Sequence, residues 1–117
     1  MLDPTGLLLE RYLDVLAARE RITTSNIANA DTPGYRAREL DFGWHMRAQL
    51  ASGQEPHLPI AVRETWGEGA KNDGNNVQLD HELQALAYNG LRFTIASLLL
   101  QHQIRDLRSA IHEGRNG

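Results

Sequence analysis

A chain of 117 residues with a formal net charge of −3 is enough for one small domain, and 41% hydrophobic with 23% charged residues is a foldable composition. That acidity gives the chain no electrostatic reason to bind nucleic acid or an anionic membrane surface. Cysteine is absent, which excludes disulfide scaffolds, thiolate catalysis and cysteine-ligated zinc without assigning a compartment.

Lys71 is the sole lysine, so arginine carries nearly all the positive charge, and arginine suits ordered interface contacts. The start Met1-Leu2-Asp3-Pro4 has no basic n-region. The run Leu7-Leu8-Leu9 is far too short to span a bilayer. The expectation is therefore no cleavable signal peptide and no direct membrane insertion.

In chain order, the first predicted element is a helix from about Pro4 to Ala30, with Asp3 as N-cap and Pro4 in the first turn. Leu9, Leu13, Leu16, Glu20, Thr23, Ile27 and Ala30 alternate by four and three, the period of a coiled-coil seam. Glu20 and Thr23 weaken its middle. Thr32-Pro33-Gly34 must end the helix, and Pro33-Gly34 suits the centre of a type II turn.

The middle of the chain, 31–76, holds three of the four prolines and no sustained helical period. Trp44 to Leu50 predicts a short helix. Leu58 to Trp66 predicts an extended or hairpin piece, with Pro59 demoting any strand to an edge. From Gly67 to Asn76 the residues are those of turns.

The last predicted helix, about Leu79 to Ile111, has the most regular pattern. Leu79, Leu83, Leu86, Gly90, Phe93, Ser97, Leu100, Ile104, Leu107 and Ile111 keep the four–three alternation. Gly90 and Ser97 predict a close helix crossing, and Gly114 predicts the C′ position, with Arg108, His112 and Arg115 set against the negative helix end. The expected fold is mainly α: residues 1–30 and 77–117 pair as an antiparallel, coiled-coil-like hairpin. Residues 31–76 form an irregular or short β-containing middle, partly disordered before assembly.

Leu98, Leu99 and Leu100 are consecutive and so point about 100° apart, and with Leu91 and Ile95 they make much of that helix apolar. Leu7, Leu8 and Leu9 do the same near the chain start. One partner helix cannot cover both sides. Either other subunits cover the surplus or the middle segment folds back as a lid, and subunit contacts are the favoured reading. The residues expected at subunit interfaces are Leu9, Leu13, Leu16, Ile27, Leu83, Leu86, Phe93, Leu98, Leu100, Ile104, Leu107 and Ile111.

Catalytic and metal-site templates find nothing to fit. His45, His57, His81, His102 and His112 are scattered, each read as a lone surface histidine, and His81-Glu82 lacks the i, i+4 spacing of a zinc-protease helix. A calcium loop centred on Gly74 would place Lys71 at a ligand position. Gly67-Glu68-Gly69 lacks the rest of a phosphate-binding loop. The expectation is no enzyme, no metal and no cofactor.

The stretch Thr24 to Arg36 resembles the amino-terminal signature of the flagellar rod and hook protein family. Its Ala-Asn-x-x-Thr-Pro-Gly-Tyr core is matched by Ala28, Asn29, Thr32, Pro33, Gly34 and Tyr35, preceded by Asn26. Physically, Asn26 and Asn29 can bond backbone at a helix end, and Tyr35 offers an apolar body with a polar tip.

Ala37 to Phe42 and the Asn-x-Val-x-Leu-Asp-x-Glu string, within Asp73 to Leu83, resemble the proximal-rod branch of that family; Asn76, Val77 and Leu79 are the candidate motif residues taken from that stretch. Leu91-Arg92-Phe93 and the ending Arg108 to Arg115 also fit it. The likeness covers roughly Pro4–Phe42 and Asp73–Arg115, and the middle is short for the family.

The resemblance implies a structural subunit of the proximal rod in the periplasm, exported by the flagellar type III apparatus without signal cleavage. It implies self-association, contacts with other rod proteins and with basal-body components at the rod base, and a role in flagellum assembly and motility. The alternative is a soluble coiled-coil adaptor or chaperone-like protein with no flagellar role.

Overall fold

The computed structural model describes residues 3–52, 59–65 and 70–116. His57, Leu58, Trp66 and the turn Gly67-Glu68-Gly69 lie outside the described residues, as does the side chain of Arg115. The elements in order are α1 (Pro4–Ala28), β1 (Arg38–Glu39), α2 (Phe42–Ser52), β2 (Arg63–Glu64) and α3 (Leu79–Asn116). The molecule measures 70 × 26 × 15 Å with a radius of gyration of 18.4 Å. A compact chain of this length would have about 13 Å. The molecule is rod-shaped.

α1 starts where its capping chemistry allows. Asp3 is extended and its carboxylate accepts from the Gly6 N–H at 2.8 Å, with Pro4 in the first turn. α1 and α3 run antiparallel. The buried Asn89 side chain of α3 donates to the Leu16 carbonyl of α1 at 2.9 Å, which fixes the level at which the helices face each other. Val15 and Leu16 are fully buried, and Thr23 nearly so, whereas Glu20 is exposed.

On α3 the stripe facing α1 is rotated from the expected seam. Asn89 and Ala96 are buried, with Leu86, Leu100 and Ile104 half-buried, while Leu79, Leu83, Phe93, Leu107 and Ile111 are exposed. The expected close crossing at Gly90 is not there either, since a Cβ built on it would meet nothing within 4 Å. The small residue buried in the contact is Ala96. The helix also continues past Gly114 to Asn116, so the glycine does not stop it.

The described parts of the middle segment form a short layer along α1. Asp41 caps α2, its carboxylate accepting from the Trp44 N–H at 2.9 Å. Leu40, Phe42, Met46 and Ile60 pack on Val15, Ala18 and Ile22, and the Tyr12 and Phe42 rings meet edge-on at 5.2 Å. Of the extended or hairpin piece expected over 58–66, the described residues hold the extended alternative, a strand that pairs at longer range. β2 joins β1 antiparallel, Arg38 opposite Glu64 and Glu39 opposite Arg63, with an exposed Arg63–Glu39 ion pair of 2.9 Å.

His45 is not the surface histidine expected. It is buried, Nε2 accepting from the Ala61 N–H at 3.0 Å while Nδ1 lies 2.7 Å from the Asp41 carbonyl. That makes Nδ1 the protonated nitrogen, and the ring ties the segment after Pro59 to α2.

Candidate assembly site

Two features compose the site: a polar knot formed by the signature residues, and apolar surface along α3 that the knot holds in place. The knot begins at the end of α1. Asn29 closes the helix, its Nδ2 donating to the Ser25 carbonyl at 2.9 Å and its Oδ1 accepting from the Thr32 hydroxyl at 3.1 Å. Thr32 to Tyr35 is the expected type II turn: Tyr35 N–H donates to the Thr32 carbonyl at 3.2 Å, and Gly34 has φ of +74°.

Gly34 N–H then donates to the Asp73 carbonyl at 2.8 Å. A Cβ on Gly74, itself at φ +85°, would stand 3.5 Å from the Gly34 Cα. The two glycine turns therefore lie back to back, joining the exit of α1 to the lead-in of α3.

Three buried asparagines fasten this junction. Asn26 does not bond its own helix end as expected. It reaches across the chain, donating to the Arg38 carbonyl at 2.9 Å and accepting from the Arg38 N–H at 3.0 Å, and it takes the Tyr35 hydroxyl at 3.1 Å. Asn75 donates to both the Asn29 and Thr32 carbonyls at 2.8 Å, and its Oδ1 accepts from the Val77 N–H. Asn76 accepts from the Ala37 N–H at 2.6 Å and donates to the Thr65 carbonyl at 2.7 Å.

Ala30, Ala37 and Val77 form a small apolar core beside them, with Tyr35 packed against it. Lys71 caps the arrangement by donating to the Ala30 carbonyl at 3.2 Å. An asparagine offers two donors and an acceptor on one rigid plane, so it can replace strand pairing between irregular backbones.

The knot thus brings together Asn26, Asn29, Thr32, Pro33, Gly34, Tyr35, Asn76 and Val77. Ala28 and Leu79 stand at exposed helix ends, Ala28 closing α1 and Leu79 opening α3. Asn75 was not singled out among the candidate residues, although it is the asparagine of the Asn-x-Val-x-Leu-Asp-x-Glu string. Asn89, the other miss, is a polar residue on an apolar helix face.

The residues expected at subunit interfaces divide in two. Leu16 is fully buried inside the chain, and Leu9, Leu13, Ile27, Leu86, Leu100 and Ile104 are half-buried. Leu83, Phe93, Leu98, Leu107 and Ile111 are exposed. α3 also leaves Tyr88, Leu91, Ile95 and Leu99 at least half exposed, so the described part of the middle segment covers one side of α1 and leaves these side chains open. Residues 105–114 are all exposed; Asp3, the cap of α1, lies opposite Gln103, so these residues extend past the described end of α1.

Comparison with known proteins fits this geometry. The family model of flagella basal body rod proteins matches residues 13–36, the second half of α1 and the turn that follows it. The flagellar basal body rod protein FlgB of Yersinia enterocolitica is 30% identical over 127 aligned positions, covering 90% of this chain and 91% of the relative. FlgB of Salmonella typhimurium is 27% identical with the same coverage, and FlgB of Cereibacter sphaeroides is 33% identical over 80% of this chain and 82% of its own length. A rod-shaped helical hairpin with its signature residues tied into one knot, matched nearly end to end by these relatives, belongs to the FlgB family of flagellar basal body rod proteins, which are structural subunits and not enzymes.

Proposed function

We propose that this rod subunit works in the proximal rod, within the periplasm, after export by the flagellar type III apparatus without signal cleavage. Its partners there are copies of itself, other rod proteins and the components at the rod base. The terminal helices are the assembling unit, and the middle segment braces them. The exposed members of the expected interface, Leu83, Phe93, Leu98, Leu107 and Ile111, are the residues assigned to subunit contacts. Leu16 instead holds the hairpin together.

The observation that carries this reading is the exposed apolar face of α3. Tyr88, Leu91, Ile95, Leu98 and Leu99 are exposed at 50–59%, and they adjoin one another on the helix. A face of that kind marks an interaction surface. Burying what remains exposed of each contributes roughly 1 kcal/mol per residue, enough in sum to drive association.

The test is complementation of a strain lacking the gene with Leu98→Asp. Leu98 is 54% exposed, so the charge leaves the hairpin folded and affects only what docks there. The isolated variant should keep its helicity and melting temperature. Cells carrying it should make basal bodies with a membrane ring but no rod, seen by electron microscopy. Normal rods and swimming would remove this face from the assembly.

A further inference from the structure

The surface of α3 carries charge as well as apolar side chains, and the two are ordered along it. Two hollows run beside the helix and meet at Arg92. One, of about 340 Å³, is apolar and lined by Leu8, Tyr12, Met46, Ile95 and Leu99. The other, of about 280 Å³, is bounded by Arg19 of α1 and by His81, Tyr88, Asn89 and Arg92 of α3. Arg19 and Arg92 make no hydrogen bond or ion pair among the described residues. Between them Asn89, 3% exposed, has its Oδ1 buried with no partner. An acceptor without a donor beside two cations without anions is a polar surface that lacks its other half.

The same chain carries a matching half. Beyond Ile104, no helix lies beside α3 among the described residues. This overhang exposes Leu107 and Ile111, and Asp106 and Glu113 flank that apolar pair. Neither acid has an ion pair among the described residues. The spacings agree. Arg19 and Arg92 each lie three residues from the Leu16–Asn89 contact, in opposite directions along the axis, which separates them by roughly 9 Å at 1.5 Å per residue. Asp106 and Glu113 are seven residues apart, roughly 10 Å by the same measure.

We propose that the overhang of α3 docks beside Arg19 and Arg92 of a second copy of this chain. Asp106 meets Arg19, Glu113 meets Arg92, and Ile111 lies against Leu91. The inference rests on the rod-subunit reading in one respect. The helices are taken as parallel because a head-to-tail contact between different surfaces repeats without closing, as an extended assembly requires. Each copy is then shifted along its neighbour by roughly 30 Å, the length of about twenty helical residues. An antiparallel docking would satisfy the same charges, but it would centre on Leu99 and close into a dimer.

The absence of cysteine makes the test clean. The full chain is made with Leu91→Cys, Ile111→Cys, both together, or Leu99→Cys alone; all three positions are exposed, so the fold is spared. A disulfide needs Cα atoms within about 7 Å, so only true neighbours cross-link. Under mild oxidation at high protein concentration, neither Leu91→Cys nor Ile111→Cys alone should give dimer. Their mixture should give dimer, and the double variant a ladder.

Adding Arg92→Glu should reduce the yield at least tenfold, and Glu113→Arg in the same chain should restore it. Dimer from Leu99→Cys alone in excess of the mixture would overturn the parallel docking. A mixture that cross-links no better than a Thr24→Cys control on the opposite side of α1 would overturn the contact altogether. Should the double variant still build rods in cells without forming the ladder, the contact fails while the rod-subunit reading stands.

Discussion

Asn26 is the residue whose loss best tests the account of the knot. It is 1% exposed and its side chain makes three hydrogen bonds, two to the Arg38 backbone and one from the Tyr35 hydroxyl. Asn26→Ala strands the Arg38 N–H and carbonyl and leaves the Tyr35 hydroxyl only a long 3.4 Å contact with the Ser25 hydroxyl. A fully buried orphan costs about 1–3 kcal/mol, and these groups are only part-buried, so each is set at about 1 kcal/mol. The expected loss is about 3 kcal/mol, a sizeable share of the 5–15 kcal/mol that holds a typical domain.

Urea unfolding followed by far-ultraviolet circular dichroism reads this directly. With a slope of about 1–3 kcal/mol per molar, the midpoint should fall by roughly 1–3 M at unchanged slope. Asn26→Asp supplies the control. It keeps the acceptor for the Arg38 N–H and Tyr35 but sets a carboxylate oxygen against the Arg38 carbonyl, so it should be as damaging at neutral pH. It should recover in acid, where the protonated carboxyl can donate. A midpoint for Asn26→Ala within 0.3 M of the parent would refute the reasoning: the knot would then be decoration, and the signature would owe its character to contacts outside the chain.

Leu16→Ala, at a fully buried position between the helices, should cost about 2–5 kcal/mol and lower the melting temperature measurably by calorimetry. Gly34→Ala meets no steric obstacle but must hold φ at +74°, so it should lose about 1–2 kcal/mol in the same urea titration. Gly90→Ala, in a helical site with open space, should instead stabilise the isolated chain by about 1 kcal/mol; a loss of stability would mean that the backbone is approached closely there after all.

Asp41 has its carboxyl held below the ordinary value of 3.8, chiefly by the hydrogen bond from the Trp44 N–H. A lowered folded value means its contribution is complete above the ordinary carboxylate range and lost as pH falls below 3.8. Asp41→Asn keeps the cap of α2 and should flatten that part of an acid unfolding curve.

The helices were legible in the sequence because their causes are local. Asp3 and Pro4 start α1, Asn29 caps its end just before the Pro33-Gly34 turn, and the four–three apolar alternation is independent of distant residues. The type II turn at Gly34 was readable for the same reason, since a glycine after proline determines its own backbone. What the sequence could not supply was the rotation of each helix about its axis. Periodicity favoured a seam through Leu83, Gly90 and Phe93, but the stripe that meets α1 carries Asn89 and Ala96. The difference lies in one side-chain bond, Asn89 to the Leu16 carbonyl, between residues far apart in the chain.

The knot was hidden likewise. Asn26 read as a helix-end residue, and only the fold brings Arg38 within its reach. The composition and pattern by themselves determined a helical hairpin with more apolar surface than it can cover. Which leucines stay inside and which remain for a neighbour was decided by tertiary structure, because α2 and the β1–β2 layer occupy one side of α1 and leave the outer face of α3 exposed.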